Sequence, residues 1–252
     1  AYPIYASAFY ALSVLPEDFH EWEYLANSRT PEAYNKIVKG NADIIFVAQP
    51  SGGQKKRAEE SGVTLIYTPF AREAFVFIVN ADNPVNSLTE QQVRDIFSGA
   101  ITNWRTVGGN DQEIQTWQRP EDSGSQTVMQ SQVMKNVRMI SPQETEVASM
   151  MEGMIKVVAE YRNTNNAIGY TFRYYATQMN ADKNIKLLAI NGIAPTAENI
   201  RNGKYPYIVD AFMVTRENTT SETQKLLEWF LTPQGQSLVE DVGYVPLYPT
   251  ME

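Results

Sequence analysis

Along the chain, short runs rich in Val, Ile and Phe alternate with stretches whose apolar residues recur every three or four positions. That alternation predicts an α/β protein and argues against a sandwich or a helical bundle. Strands are predicted at Asp43 to Val47, Val63 to Tyr67, Ala74 to Val79, Glu113 to Gln118, Ala167 to Tyr170, Ile185 to Ile190 and Ala211 to Thr215. The helices between them carry start and stop signals. Thr30-Pro31 reads as a cap followed by proline at the first helical position, which predicts a helix over 31–39. Thr89 with Gln92 is a capping box ahead of Val93, Ile96 and Phe97, and Gly99 is placed to end that helix. Ser221 with Gln224 repeats the device before Leu226, Leu227 and Phe230. Thr232-Pro233 opens one more helix that Gly243 closes.

At 252 residues the chain suffices for one large domain or two lobes, each with its own core. No repeat or low-complexity linker separates beads on a string, so two lobes would be joined by crossing strands. The extended segments Phe75 to Asn80 and Tyr170 to Tyr174, neither interrupted by Gly or Pro, are the candidate crossings. No run reaches the roughly 18 apolar residues of a membrane span. The chain starts at Ala1-Tyr2-Pro3 without a basic, apolar leader, so a mature or trimmed form is expected.

Charge and side-chain inventory narrow the chemistry. The 29 acidic and 21 basic residues give a formal net charge of −8 without a Lys/Arg cluster, which speaks against a nucleic-acid surface. Cysteine is absent and His20 is the single histidine. Thiolate chemistry and Cys-ligated metals are thereby excluded, a Ser-His-Asp enzyme loses support, and neither a metal nor a cofactor is expected. No phosphate-cradling glycine loop of the nucleotide-binding kinds occurs. Trp104 and Trp117 read as packing residues.

One stretch stands apart, the run from Gln118 to Thr127, QRPEDSGSQT. If Ser123 caps a helix through Val128 and Val133, the N–H groups of Gly124 and Ser125 face outward at its positive end, where anions bind. The hydroxyls of Ser123 and Ser125 add donors, Gly124 admits close approach, and Arg119 supplies a permanently charged fork. The alternative is a capped surface helix whose Arg119 pairs with Glu121 or Asp122. Thr30 offers a second helix start, as needed if two lobes present helix termini to one anion. Charge-assisted hydrogen bonds of about 1.5–3 kcal/mol each can supply the ~8 kcal/mol of micromolar binding.

The Arg119 to Ser125 element resembles the anion loop of the phosphate-binding proteins of bacterial ABC uptake systems. The similarity extends to DIFSGAITNWRTVGG (Asp95 to Gly109), AIGYTFRYYA (Ala167 to Ala176), LLAINGIAPTAENIRNGKYP (Leu187 to Pro206) and GYVPL (Gly243 to Leu247), in the same order and spacing. The resemblance implies a two-lobed type II periplasmic-binding-protein-like α/β fold with two crossing hinge strands. Lobe 1 would comprise residues 1–79 and 173–252, and lobe 2 residues 80–172.

It also implies an extracytoplasmic, non-enzymatic protein, a cell-surface lipoprotein or a secreted or periplasmic form. Such a protein captures inorganic phosphate, or a related tetrahedral oxyanion, between its lobes and delivers it as a monomer to a membrane ABC permease. By position, Arg119, Ser123, Gly124 and Ser125 would grip phosphate from lobe 2, with Tyr2, Thr30 and Gln49 from lobe 1.

The chain departs from the family pattern in three places. It begins where a strand and a Gly/Ser/Thr-rich loop would precede Tyr2, Ala1 stands at a usual Thr, and Gln49 lies where a carboxylate is typical. An amide donates as well as accepts, so Gln49 would relax discrimination among oxyanions. The alternative reading that follows is a surface sensor or adhesion module with weakened binding.

Overall fold

A computed structural model describes residues 28–135, 137–142, 154–156, 158, 166–179 and 181–251. The chain divides into two compact units, Ala1–Arg72 with Asp210–Glu252, and Glu73–Val209.

In the first unit, α1 (Thr30–Val38) precedes β1 (Ile44–Val47), and α2 (Gly52–Glu60) leads into β2 (Leu65–Asn80). The chain returns to this unit in β8 (Ile208–Arg216) and ends with α6 (Ser221–Phe230), α7 (Pro233–Val242) and β9 (Val245–Pro246). β1 pairs antiparallel with β8, Ile44 opposite Thr215, and β9 pairs antiparallel with β2, Ala71 opposite Pro246. The period of two then sorts the side chains. Ile45, Val47 and Val214 join Ala33, Tyr34 and Ile37 of α1, whereas Ile44, Phe46 and Met213 join Leu227, Phe230 and Val239 of α6 and α7. A sheet covered by helices on both faces needs apolar residues at consecutive positions, which is why IIFV carries no polar residue.

The second unit is built around the C-terminal half of β2. It pairs antiparallel with β5 (Ala167–Phe172), Phe77 opposite Tyr170, and with β6 (Ile185–Leu187), Val79 opposite Lys186. β4 (Gln115–Thr116) runs parallel to β5, and β3 (Ser87–Leu88) runs parallel to β7 (Ala189–Ile190). The unit also holds α3 (Glu90–Ser98), α4 (Gly124–Val128) and α5 (Ala197–Arg201). Phe75, Phe77, Phe97, Tyr170, Tyr205 and Tyr207 form an aromatic core, with edge-on pairs such as Phe97 and Tyr170 at 5.6 Å.

The chain passes between units at Arg72–Glu73, inside β2, and at Val209–Asp210, inside β8. The division expected from the sequence put residues 73–79 and 173–209 in lobe 1. They belong to the second unit because β6 hydrogen-bonds to β2 and Phe75 N–H donates to Tyr207 O at 2.9 Å. The two predicted strands at 63–67 and 74–79 are one sixteen-residue strand that continues through Pro69.

Caps at Thr89 and Thr232 match expectation, with Gly99 (φ 83°) and Gly243 (φ 106°) left-handed at the helix ends. The cap before Leu226 is Thr220, one residue ahead of Ser221, and it accepts from Thr223 N–H at 3.2 Å.

Glu73 opens the second unit, 4% exposed, with its two oxygens accepting from Ala74 N–H at 2.7 Å and Tyr174 N–H at 2.8 Å. Burial pushes its carboxyl up to about 7, against the pull of those N–H groups and of Arg173. The folded state therefore keeps a proton that the unfolded chain releases. Stability is fully present below about pH 4.5, falls as pH rises to about 7, and is level above that. This group lowers stability by about 3 kcal/mol across that window. Urea unfolding at a series of pH values should show the decline in the native protein, and Glu73→Gln should remove it. An unchanged slope in Glu73→Gln would assign the decline to other groups.

Candidate functional site

The QRPEDSGSQT segment lies wholly in the second unit. β4 carries the chain alongside β5, Gln115 opposite Ala167 and Thr116 opposite Ile168, and Trp117 N–H continues the ladder to Ile168 O at 2.9 Å. Two residues later the partner is a side chain, with Arg119 N–H donating to Tyr170 Oη at 3.0 Å. The chain then turns sharply. Ser123 N–H donates to Pro120 O at 3.2 Å, and Asp122 takes φ 65°, a left-handed geometry that Asp tolerates better than most residues.

Ser123 caps α4 as expected, its Oγ accepting from Gln126 N–H at 3.2 Å and its carbonyl accepting from Thr127 N–H at 2.9 Å. The helix continues as a π-helical run, Met129–Met134, anchored by the buried Met129, Val133 and Met134. Helical geometry gives the N–H groups of Gly124 and Ser125 no acceptor within the helix. The Ser123 hydroxyl accepts from Gln126 and retains its own hydrogen for donation.

Two side chains give this terminus its character. Arg119 is 8% exposed, so its guanidinium charge sits largely out of water in a protein of net charge −8. Ser125 is 2% exposed, and its Oγ has no hydrogen-bond partner among the described residues. A buried hydroxyl left unbonded costs roughly 1–3 kcal/mol, a cost that a bound acceptor removes. Cation, hydroxyls and outward N–H groups together offer donors and positive potential to an anion.

Of the other sequence-predicted residues, Thr30 and Gln49 belong to the first unit, both half-buried. Thr30 is not the cap of α1. The cap is Arg29, Thr30 is the first helical residue, and Pro31 follows it. The helix starts earlier because Glu32 reaches back to Arg29, accepting from its N–H at 3.3 Å and from its guanidinium at 2.8 Å. Gln49 follows β1, where Tyr34 Oη donates to Ala48 O at 3.0 Å and ties this loop to α1. Tyr2, like Ala1 and His20, lies outside the described residues. Trp104 packs as expected, 1% exposed with its indole N–H donating to Asn166 O at 2.8 Å. Among the described residues no His/Cys/Asp/Glu group is placed to hold a metal, and no helix is long and apolar enough to cross a membrane.

Sequence reasoning passed over Gln126 and Tyr170. Gln126 Oε1 accepts from Arg119 N–H at 3.3 Å and from the Tyr170 hydroxyl. Burial pushes the Tyr170 hydroxyl well up, opposed by the Arg119 N–H and charge, so it stays protonated and donates. The signal was present as Ser123-x-x-Gln126, a capping-box spacing. Here, though, the glutamine side chain turns to Arg119, and Ser123 N–H is met by Pro120 O instead.

A family model for the PBP superfamily domain matches residues 20–234. The phosphate-binding protein PstS of Bacillus subtilis is 28% identical over 209 residues, which cover 82% of this chain and 64% of that protein. PstS of Borreliella burgdorferi is 26% identical over 218 residues, 84% of this chain and 74% of that protein. The match thus spans just under two thirds of the Bacillus relative's length.

Among solved structures, a Clostridium perfringens protein with bound phosphate, assigned as a substrate-binding protein of a phosphate ABC transporter, has a TM-score of 0.71 at 24% identity. The match covers 86% of this chain and 84% of that one. An ABC-type phosphate transport receptor of Vibrio cholerae has a TM-score of 0.64 at 23% identity, covering 86% and 85%. At these identities the likeness shows the fold, the type II periplasmic-binding-protein-like α/β architecture expected from the sequence.

Proposed function

The chain belongs to the PBP superfamily, and from that premise we propose that it is a non-enzymatic, extracytoplasmic solute-binding protein that captures inorganic phosphate and passes it to the membrane permease of an ABC transporter. The observation that carries this reading is the largely buried Arg119 in the loop that turns into the α4 N-terminus, where the buried Ser125 Oγ has no partner among the described residues. The names of the PstS relatives support phosphate as the anion.

In this reading Arg119 supplies the charge and a forked pair of N–H donors. Ser123 and Ser125 donate their hydroxyl hydrogens, and Gly124 and Ser125 donate backbone N–H groups. Fixed neutral dipoles solvate the anion without the reorganisation that water would need. Thr30, Gln49 and Tyr2 are the proposed ligand residues of the first unit. Gln49, able both to donate and to accept, fits a site less exclusive of sulfate than one bearing a carboxylate.

The test is calorimetric titration with phosphate and with sulfate, alongside incubation with a chromogenic phosphoester. Micromolar or tighter phosphate binding without turnover is the expected result, with sulfate competing at higher concentration. Turnover of the ester would overturn the non-enzymatic reading. No phosphate heat and no thermal stabilisation by phosphate would overturn capture and leave the sensor or adhesion reading.

A further inference from the structure

Resting on the phosphate reading above, we infer that Tyr170 and Gln126 are positioning residues that fix the backbone of Arg119 against the N-terminus of α4. Tyr170 Oη accepts from Arg119 N–H at 3.0 Å and donates to Gln126 Oε1, which also receives Arg119 N–H at 3.3 Å. The three groups close a triangle of hydrogen bonds. Gln126 extends it through its own backbone, because its N–H is the one that Ser123 Oγ accepts. One residue thus ties the strand that delivers the cation to the cap that delivers the hydroxyls.

Two corners of the triangle are buried in the second unit. Tyr170 lies on β5 opposite Phe77 of β2, fully buried, with Phe75 at 5.4 Å and Phe97 at 5.6 Å between ring centroids. Gln126 is 5% exposed. The Arg119 N–H is therefore committed within the protein, and the residue's contribution to a ligand comes through its guanidinium. A guanidinium on a backbone free to shift by an ångström would lose the alignment on which forked pairing depends. The triangle supplies that alignment at a position where the ladder of β4 on β5 has already ended, Thr116 being the last paired residue of β4.

Tyr170→Phe is the decisive variant, because it keeps the ring in the aromatic core and leaves Arg119 N–H with Gln126 Oε1. In the ligand-free protein, hydrogen exchange of the Arg119 amide should accelerate about tenfold while amides of the β2–β5 ladder keep their rates. Phosphate affinity by calorimetry should fall roughly tenfold. Repeated in an Arg119→Lys background, Tyr170→Phe should cost less than about twofold, since it acts through the guanidinium geometry.

A tenfold loss that persists undiminished in the Arg119→Lys background would show a general structural role and overturn the inference. So would an unchanged Arg119 exchange rate. If the native chain gives no phosphate heat, the phosphate reading fails, and the exchange comparison still decides for or against the positioning role.

Discussion

Replacing Arg119 with alanine is expected to reduce phosphate affinity by roughly thirtyfold to a few thousandfold. The other proposed donors on this loop are neutral, so the variant would ask hydroxyls and backbone dipoles alone to hold a dianion in a protein whose net charge is −8. Losing one partner of a buried, hydrogen-bonded charge pair costs about 2–5 kcal/mol, and about 1.4 kcal/mol is each tenfold. Because Arg119 is 8% exposed, water compensates poorly for the missing guanidinium. The loop itself should survive, since its hydrogen bonds to Tyr170 and Gln126 run through the backbone N–H that alanine retains. Thermal unfolding without ligand should therefore change little while phosphate-dependent stabilisation falls. Unchanged phosphate affinity in Arg119→Ala would remove the site from this loop altogether.

The residues of that loop were legible because each is a local device. Ser123 caps, Gly124 opens space, and Arg119 precedes them by a fixed short spacing, so no tertiary information was needed to group them. Gln126 and Tyr170 were not legible as partners. They stand forty-four residues apart and meet only because β4 and β5 run parallel. The same limit explains the unit boundary. β2 carries its only two charged residues, Arg72 and Glu73, where its neighbours change from β9 to β5 and β6, but a charged pair within a strand does not say which strands flank it on either side. Residues 173–209 follow the second unit by long-range pairing, which the local pattern cannot carry. Thr30 shows the opposite failure, a strong local signal moved by one residue. Thr-Pro predicts a cap, but Glu32 bonds Arg29 and the helix takes the extra residue. Helix starts shift by about one residue when a neighbouring side chain competes for the orphan N–H.

Gln236→Leu is expected to destabilise the protein by about 3–5 kcal/mol, the sum of several buried polar groups losing their partners. Gln236 sits in α7, 0% exposed, and its amide is fully engaged. Nε2 donates to Phe70 O at 2.9 Å and to Phe230 O at 2.8 Å, while Oε1 accepts from Leu247 N–H at 2.8 Å and Tyr248 N–H at 3.0 Å. A single side chain thus joins β2, the end of α6 and the segment after β9. Leucine fills nearly the same volume, so the loss isolates hydrogen bonding from cavity formation. Two carbonyls and two N–H groups lose this partner, and those nearest Phe70 and Phe230 are buried among apolar side chains that cannot replace it. Gln236→Glu should recover part of the loss below about pH 5, where a protonated carboxyl can donate one bond and accept from the N–H groups. Urea unfolding at pH 7 and pH 4.5 measures both effects. A cost under about 1 kcal/mol for Gln236→Leu would mean that these backbone groups find other partners.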